Sequence, residues 1–254
     1  MEKTIQKYND FIANEYETWK SRFTWCGLDG RTPKHTTTIL KFFAETNILE
    51  NIDKVTNTTH LFQQLCALSE RYTDWVSSKG KTYKKKEYED MKNFFIGAVG
   101  EFFFVELLNE VRGLYVYNPF TNIFDRYDFH YVSPTLSNTN DFGVDLTGVA
   151  NDISCVFQIK FWNPFGKHSV GMEVFQKADS EGIRNNFIKQ EENNNIFLCW
   201  LGGESCGERI IKENKVYKNK IVVIGKMSLD ASINERNTIF WNGLYDKLIQ
   251  FATK

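Results

Sequence analysis

The stretch FGVDLTGVANDISCVFQIKFW, residues 142–162, decides the fold of the chain. It contains two runs in which apolar and polar side chains alternate, residues 142–147 and 153–162, and such alternation predicts β-strands. Between these runs, Asn151 and Asp152 favour a turn. The sequence therefore predicts an antiparallel β-hairpin.

The hairpin brings three polar side chains to one patch. It places Asp145 opposite Gln158, with Cβ atoms expected about 5 Å apart. Lys160 lies two residues further along the second strand and so on the same face as Gln158. We expect the other face of each strand to be apolar and to pack in the core. An acid, an amide and an ammonium group are therefore predicted to converge.

A long helix is predicted for residues 87–111, upstream of the hairpin. Its middle, FFIGAVGEFFFVELL at residues 94–108, is apolar almost all round, which is typical of a helix buried on most sides. Glu101 lies inside this run, and a buried carboxylate is costly unless it is paired or bound to a metal. Gly97 and Gly100 beside it would let another backbone approach closely.

The remaining elements follow from the same periodicities. Residues 1–80 show helical spacing and no strand signal, whereas residues 81–254 mix helices and strands. We predict helices at 36–49, 61–76, 173–192 and 238–252, and strands at 113–117, 195–201 and 221–225. The fold class is α/β, a sheet-containing domain at 81–254 that is preceded by a helical region at 1–80.

Composition limits the possible classes of protein. The 254 residues suffice for one large or two modest domains, and the net charge of -1 is unlike that of a non-specific nucleic-acid coat protein. The five cysteines show no CxxC spacing, so we expect reduced thiols rather than a zinc ribbon or a disulfide framework. Neither a signal peptide nor a membrane span is visible, which predicts a cytoplasmic protein without membrane contact. No phosphate-binding Walker loop appears, so no nucleotide cofactor is expected.

The converging residue types suit hydrolysis of phosphodiester bonds. Mg²⁺ prefers oxygen ligands, which Asp145 and Glu101 can supply as carboxylates, Gln158 as an amide and Ile159 as a backbone carbonyl. Such an ion polarises a phosphate and lowers the pKa of water, and Mn²⁺ is expected to substitute for it. Lys160 would orient or deprotonate the attacking water and stabilise the developing charge.

Three segments carry a family resemblance. They are GEFFFVELL at residues 100–108, GVD at 143–145 and QIK at 158–160, and their order resembles the PD-(D/E)XK nuclease superfamily. The nearest group is that of the Mrr-type restriction enzymes, in which the second acid of the motif is often Gln. The resemblance covers roughly residues 87–201.

The resemblance implies a restriction-endonuclease-like α/β/α core around a mixed sheet, Mg²⁺-dependent cleavage and a nucleic-acid substrate. In that pattern Asp145 is the central metal ligand, Lys160 the catalytic lysine and Glu101 the acid of the first helix. Gln158 replaces the second acid, so the site carries one negative charge less. Val144 stands where a Pro often precedes the Asp, and the long spacing from Glu101 leaves room for an insertion near residues 119–140.

The expected function is that of a DNA endonuclease of restriction or defence type that acts on double-stranded DNA. Cutting both strands favours a homodimer, and residues 1–80 would serve recognition or dimerisation. Candidate nucleic-acid contacts are Lys84, Lys85 and Lys86 in the basic segment 79–86, together with Lys167 and His168. Three alternatives stay open: a structure-specific nuclease such as a junction resolvase, an RNA or single-strand nuclease, and a non-catalytic binding module on the same fold.

Overall fold

The computed structural model describes residues 39–46, 48, 56–80, 82–110, 113–118, 123–135, 144–161, 172–193, 195–200 and 221–236. The described residues form two compact units. Residues 39–48 and 60–102 belong to the first unit, and residues 56–59 and 103–236 belong to the second. The division falls within a helix, and the domain boundary at residue 80 stays a prediction.

The first unit is helical and is held by aromatic packing. Its described residues form three helices, α1 (Ile39–Thr46), α2 (Thr58–Ser78) and the first part of α3 (Lys85–Glu110). The ring of Phe42 lies 5.5 Å from that of Tyr72 and 5.9 Å from that of Phe95, so one side chain joins all three helices. The helices predicted at 36–49, 61–76 and 87–111 are confirmed within the described residues, with ends shifted by a few positions.

The described residues of the second unit include seven strands, which are β1 (Leu114–Asn118), β2 (Ile123–Tyr127), β3 (Phe129–Pro134), β4 (Leu146–Ala150), β5 (Ile153–Lys160), β6 (Ile196–Trp200) and β7 (Ile221–Ile224). Five of them form a mixed sheet with the strand order β3-β4-β5-β6-β7. β4 pairs antiparallel with both β3 and β5, whereas β5, β6 and β7 run parallel to one another. β1 and β2 form a separate antiparallel pair.

Side chains from both faces of this sheet are buried. On one face Val156 packs with Phe175 and Ala178 of helix α4 (Met172–Arg184). Gly182 of α4 permits this approach, since a Cβ there would lie 3.0 Å from Ile188 and 3.4 Å from Val156. The opposite face is aromatic, with the Phe129, Phe157 and Phe197 rings 5.1–5.6 Å apart. The expected mixed α/β class is confirmed by this arrangement.

Three elements of the second unit were not predicted by periodicity. The spacing left room for an insertion near residues 119–140, and the described part of this stretch holds β2 and β3, of which β3 pairs with β4 in the main sheet. A register shift between His130 and Ser133, with Tyr131 at φ 53°, breaks the alternation that reveals a strand. Helix α5 (Lys226–Arg236) was missed because it carries few apolar residues. The helix predicted at 238–252 lies outside the described residues.

The side chain of Asn109 in α3 hydrogen-bonds to the backbone of β3 at its register shift. Its amide donates to the Val132 carbonyl at 2.8 Å and accepts from the Val132 N–H at 2.9 Å, so it occupies the place of a strand partner. Val132 is fully buried. A buried backbone pair of this kind needs both hydrogen bonds.

Replacing Asn109 with Leu should therefore lower the free energy of unfolding by about 2–4 kcal/mol, because two buried backbone groups lose their partners. Urea unfolding followed by circular dichroism measures the change. Asn93→Leu is the matched control, since Asn93 is exposed on the same helix and its replacement should cost less than about 0.5 kcal/mol. Equal stability of the two variants would show that the amide does not hold β3.

Candidate functional site

The β4–β5 hairpin is connected by a two-residue turn. Asn151 and Asp152 form it with φ angles of 46° and 66°, the left-handed conformation that such turns require. Leu146 pairs with Phe157 in the register that this turn sets. The predicted hairpin is confirmed. Its first strand begins at Leu146 rather than at residue 142, and residues 148–150, expected in the loop, belong to that strand.

Asp145 lies immediately before β4, and its backbone is held from both sides. Its N–H donates to the Phe157 carbonyl at 2.9 Å, and its carbonyl accepts from the Thr135 N–H at 3.1 Å. One carboxylate oxygen, Oδ2, accepts from the backbone N–H of Ile159 at 2.6 Å and from the Gln158 side-chain amide. The expected position of Asp145 opposite Gln158 is thus confirmed.

The polar face of β5 differs from the prediction in one respect. Gln158 is only 4% exposed and Asp145 only 8% exposed, so these groups lie in the protein interior. On the same face α4 packs against Val156, two residues before Gln158. Lys160, the last residue of β5, is half-buried, and no salt bridge joins it to another described residue. The face therefore becomes accessible at the Lys160 end of the strand.

The Ile159 backbone faces Asp145. Its N–H points to the Asp145 carboxylate, and two residues earlier the Phe157 carbonyl accepts from the Asp145 N–H. The N–H and C=O groups of one strand residue point to the same neighbouring strand. The Ile159 carbonyl is therefore directed to the edge where the Asp145 carboxylate lies, as a ligand role for it requires.

Two of the acids on α3, Glu101 and Glu106, lie within its apolar run. Glu101 is half-buried and belongs to the part of the helix in the first unit, so its approach to Asp145 stays a prediction. Glu106 belongs to the second unit and is only 3% exposed, which makes it the more deeply buried acid. Glu106 was not predicted as a site residue, although its charge within the apolar run VELL is a visible signal in the sequence.

The two buried thiols near Asp145, those of Cys155 and Cys199, are unreactive. Burial raises the pKa of Cys199 well above its ordinary value, and the nearby Asp145 carboxylate raises it further. Burial likewise raises the pKa of Cys155, with a smaller contribution from Cys199. Both thiols are free and buried, so at neutral pH they stay protonated and are poor metal ligands or nucleophiles.

The donor set fits a hard cation rather than zinc. Among the described residues, no three His, Cys, Asp or Glu side chains converge as a metal-binding group. The converging donors are instead the Asp145 carboxylate, the Gln158 amide and the Ile159 carbonyl, all of them oxygen donors of the kind that Mg²⁺ accepts. The Gln158 amide presents its nitrogen to Asp145, so a shared cation requires half a turn of this amide to present Oε1.

The predicted nucleic-acid contacts are only partly described. Lys84, Lys85 and Lys86 are exposed at the start of α3, where Glu87 accepts from the Lys84 N–H at 2.6 Å and caps the helix. Lys167 and His168 lie outside the described residues. The contact of all five with nucleic acid stays a prediction.

Comparison of the chain with models of protein families, with curated proteins and with solved structures finds no match. None of the helices in the described part of the chain combines the length and apolar character needed to cross a membrane.

Proposed function

We propose that this chain is a metal-dependent endonuclease that hydrolyses phosphodiester bonds, with Asp145, Gln158 and Lys160 at the centre of its active site. One observation carries the proposal. The buried Asp145 carboxylate accepts from the Gln158 amide across the β4–β5 hairpin, and Lys160 ends the same strand on the same face. This is the spatial arrangement that the PD-(D/E)XK resemblance implies.

The surrounding fold supports the same proposal. Asp145 immediately precedes β4, and the Gln158–Lys160 segment ends the adjacent strand β5, which is the middle strand of the mixed sheet. Helix α4 packs on one face of this sheet, and Phe104 of α3 contacts Phe161 with ring centroids 5.7 Å apart. We infer a restriction-endonuclease-like α/β/α core.

Asp145, Gln158 and the Ile159 carbonyl would hold Mg²⁺ or Mn²⁺, and Glu101 is the proposed fourth ligand. When bound, the ion would polarise the scissile phosphate and acidify the water beside it. The protein fixes the carboxylate for this purpose, because the Ile159 N–H holds Oδ2 at 2.6 Å and leaves the Gln158 amide able to turn its Oε1 to the cation. A ligand held in advance loses little conformational entropy on binding.

Lys160 supplies the positive charge. Its ammonium group lies at the accessible end of the site, where it can orient the attacking water and donate to the phosphate oxygens as negative charge develops on them. A lysine does this as a compact, mobile point charge with three donors.

Double-stranded DNA is the proposed substrate, with a homodimer as the cutting unit and a cytoplasmic restriction or defence role. A second candidate function is a non-catalytic nucleic-acid-binding module. One observation favours it: the Gln158 amide donates to the Asp145 carboxylate, so this buried carboxylate has a partner without a cation. A binding module that holds no metal would need such a partner.

Removal of the metal tests the proposal. Purified full-length protein should cut plasmid DNA in millimolar Mg²⁺ or Mn²⁺ and should lose this activity completely in EDTA, because the donors alone do not activate water. Gel electrophoresis of supercoiled, linear, single-stranded and branched DNA, and of RNA, identifies the substrate. Cleavage that continues in EDTA, or no cleavage of any substrate in either metal, would contradict the nuclease proposal and favour the binding module.

A further inference from the structure

The β1–β2 pair presents an exposed face with two aromatic rings and one guanidinium group. Leu114 and Val116 of β1 are buried, whereas Tyr115 between them is 60% exposed. The register places Tyr115 opposite Arg126 of β2, and Phe124, 45% exposed, is two residues from Arg126 and so on the same face. We call Tyr115, Phe124 and Arg126 the aromatic face.

The Arg126 side chain rests on a glycine. Gly113 has a φ of 66°, and its N–H donates to an Asp128 carboxylate oxygen at 2.5 Å. A Cβ at this position would lie 2.2 Å from Arg126 Nε and 2.6 Å from its Cζ. The guanidinium group therefore packs on the bare Cα of Gly113, beside Tyr115, and is held there without an intervening side chain.

Arg126 contributes a positive charge to the aromatic face, and the Asp128 carboxylate that accepts from the Gly113 N–H lies at the same end of the strand pair. Arg126 is exposed on it, whereas Asp125 stands opposite the buried Val116 and so belongs to the other face of the pair. Exposed rings with a neighbouring cation match nucleic acid, because bases stack on aromatic side chains and phosphates bind guanidinium. Three side chains are too few for a stable protein dimer, which needs roughly 800 Å² on each partner.

We propose that the aromatic face of β1 and β2 binds unpaired bases of a single-stranded segment of nucleic acid, an inference that rests on the proposed nuclease function. Tyr115 and Phe124 stack on bases, and Arg126 contacts the adjoining phosphate. Rings can stack only on bases whose faces are open, and the base faces of an intact duplex are covered by neighbouring pairs. The ligand of the aromatic face is therefore a stretch of unpaired bases, as in a single strand or in a locally opened part of a duplex substrate.

Fluorescence anisotropy of the full-length protein in EDTA tests this inference without cleavage. The probes are a fluorescein-labelled single-stranded DNA, an RNA of the same sequence and the matching DNA duplex. The double variant Tyr115→Ala with Phe124→Ala removes both rings. Tyr115→Phe with Phe124→Tyr is the matched control, because it keeps both rings at the same exposed positions.

The ring-free variant should bind the single strand at least about tenfold more weakly, while its Kd for the duplex changes less than about twofold. The control should bind like the wild type. Unchanged single-strand binding in the ring-free variant, or an equal loss in the control, would overturn the inference. Its failure is distinct from that of the nuclease proposal: a protein that cuts no substrate in Mg²⁺ can still show ring-dependent binding, and a protein that cuts can lack it.

Discussion

Replacing Asp145 with Asn should lower Mg²⁺-dependent DNA cleavage by about 10²–10³-fold or more while the protein stays folded. The neutral amide still accepts from the Ile159 N–H through one oxygen, so the hydrogen bond observed at 2.6 Å can be kept. It offers no negative charge to a divalent cation, and hard cations depend on carboxylate oxygens. Initial cleavage rates measured across a Mg²⁺ titration, beside thermal unfolding of the same preparations, test both parts of this expectation.

Asp152→Asn is the matched control. It makes the same chemical change seven residues away, in the exposed turn of the same hairpin, where Asn tolerates the left-handed conformation at φ 66°. This control should cut at the wild-type rate. Lys160→Met should resemble Asp145→Asn in cleavage, whereas Lys189→Met, at a side chain that is 80% exposed, should be silent. Equal cleavage rates for Asp145→Asn and Asp152→Asn would remove Asp145 from the active site.

Replacing Gln158 with Glu should make the stability of the protein depend on Mg²⁺. The introduced carboxylate would lie beside Asp145 at a position that is 4% exposed, so two like charges would meet in the interior. Burial and repulsion raise the pKa of one carboxyl of the pair in the folded state. A pKa raised above the unfolded value of about 4.3 destabilises the fold as pH increases through that range. At pH 8 the variant should lose about 2–4 kcal/mol of unfolding free energy relative to the wild type.

A divalent cation should reverse this loss. Mg²⁺ neutralises both carboxylates and binds the folded state, so it stabilises the variant by an amount that increases with the ratio of its concentration to its Kd. Thermal unfolding at pH 5 and pH 8, with and without millimolar Mg²⁺, gives the four measurements that are needed. This readout does not depend on cleavage.

Gln176→Glu is the control for the effect of added charge. Gln176 is exposed on α4, so an added carboxylate there stays hydrated and should change stability by less than about 0.5 kcal/mol at either pH. A Tm increase with Mg²⁺ that is the same in Gln158→Glu and Gln176→Glu would show that no cation binds between Asp145 and β5. A larger increase in Gln158→Glu alone would locate the ion, even if the protein cut no nucleic acid.

The irregular parts of the fold could not be predicted from the periodicity of the sequence. β3 pairs with β4 through a register shift, and an amide from α3 replaces part of its ladder at Val132. A strand whose hydrogen bonds come from a distant side chain leaves no regular alternation in the sequence. The burial of Glu106 could not be predicted from periodicity either, because it depends on what packs around the second half of α3.

The sequence by itself determined the β4–β5 hairpin and the meeting of Asp145 with Gln158. A two-residue turn at Asn151 and Asp152 sets the register of both strands, and register is a local property that turn chemistry and alternation encode. Tertiary structure alone decided that Gln158 is buried, on a face where α4, which follows β5 in the chain, packs back on the sheet at Val156. It also decided that the accessible end of the site lies at Lys160 and that Arg126 rests on Gly113. Such contacts join residues whose separation in the chain carries no periodic signal, so only the folded packing reveals them.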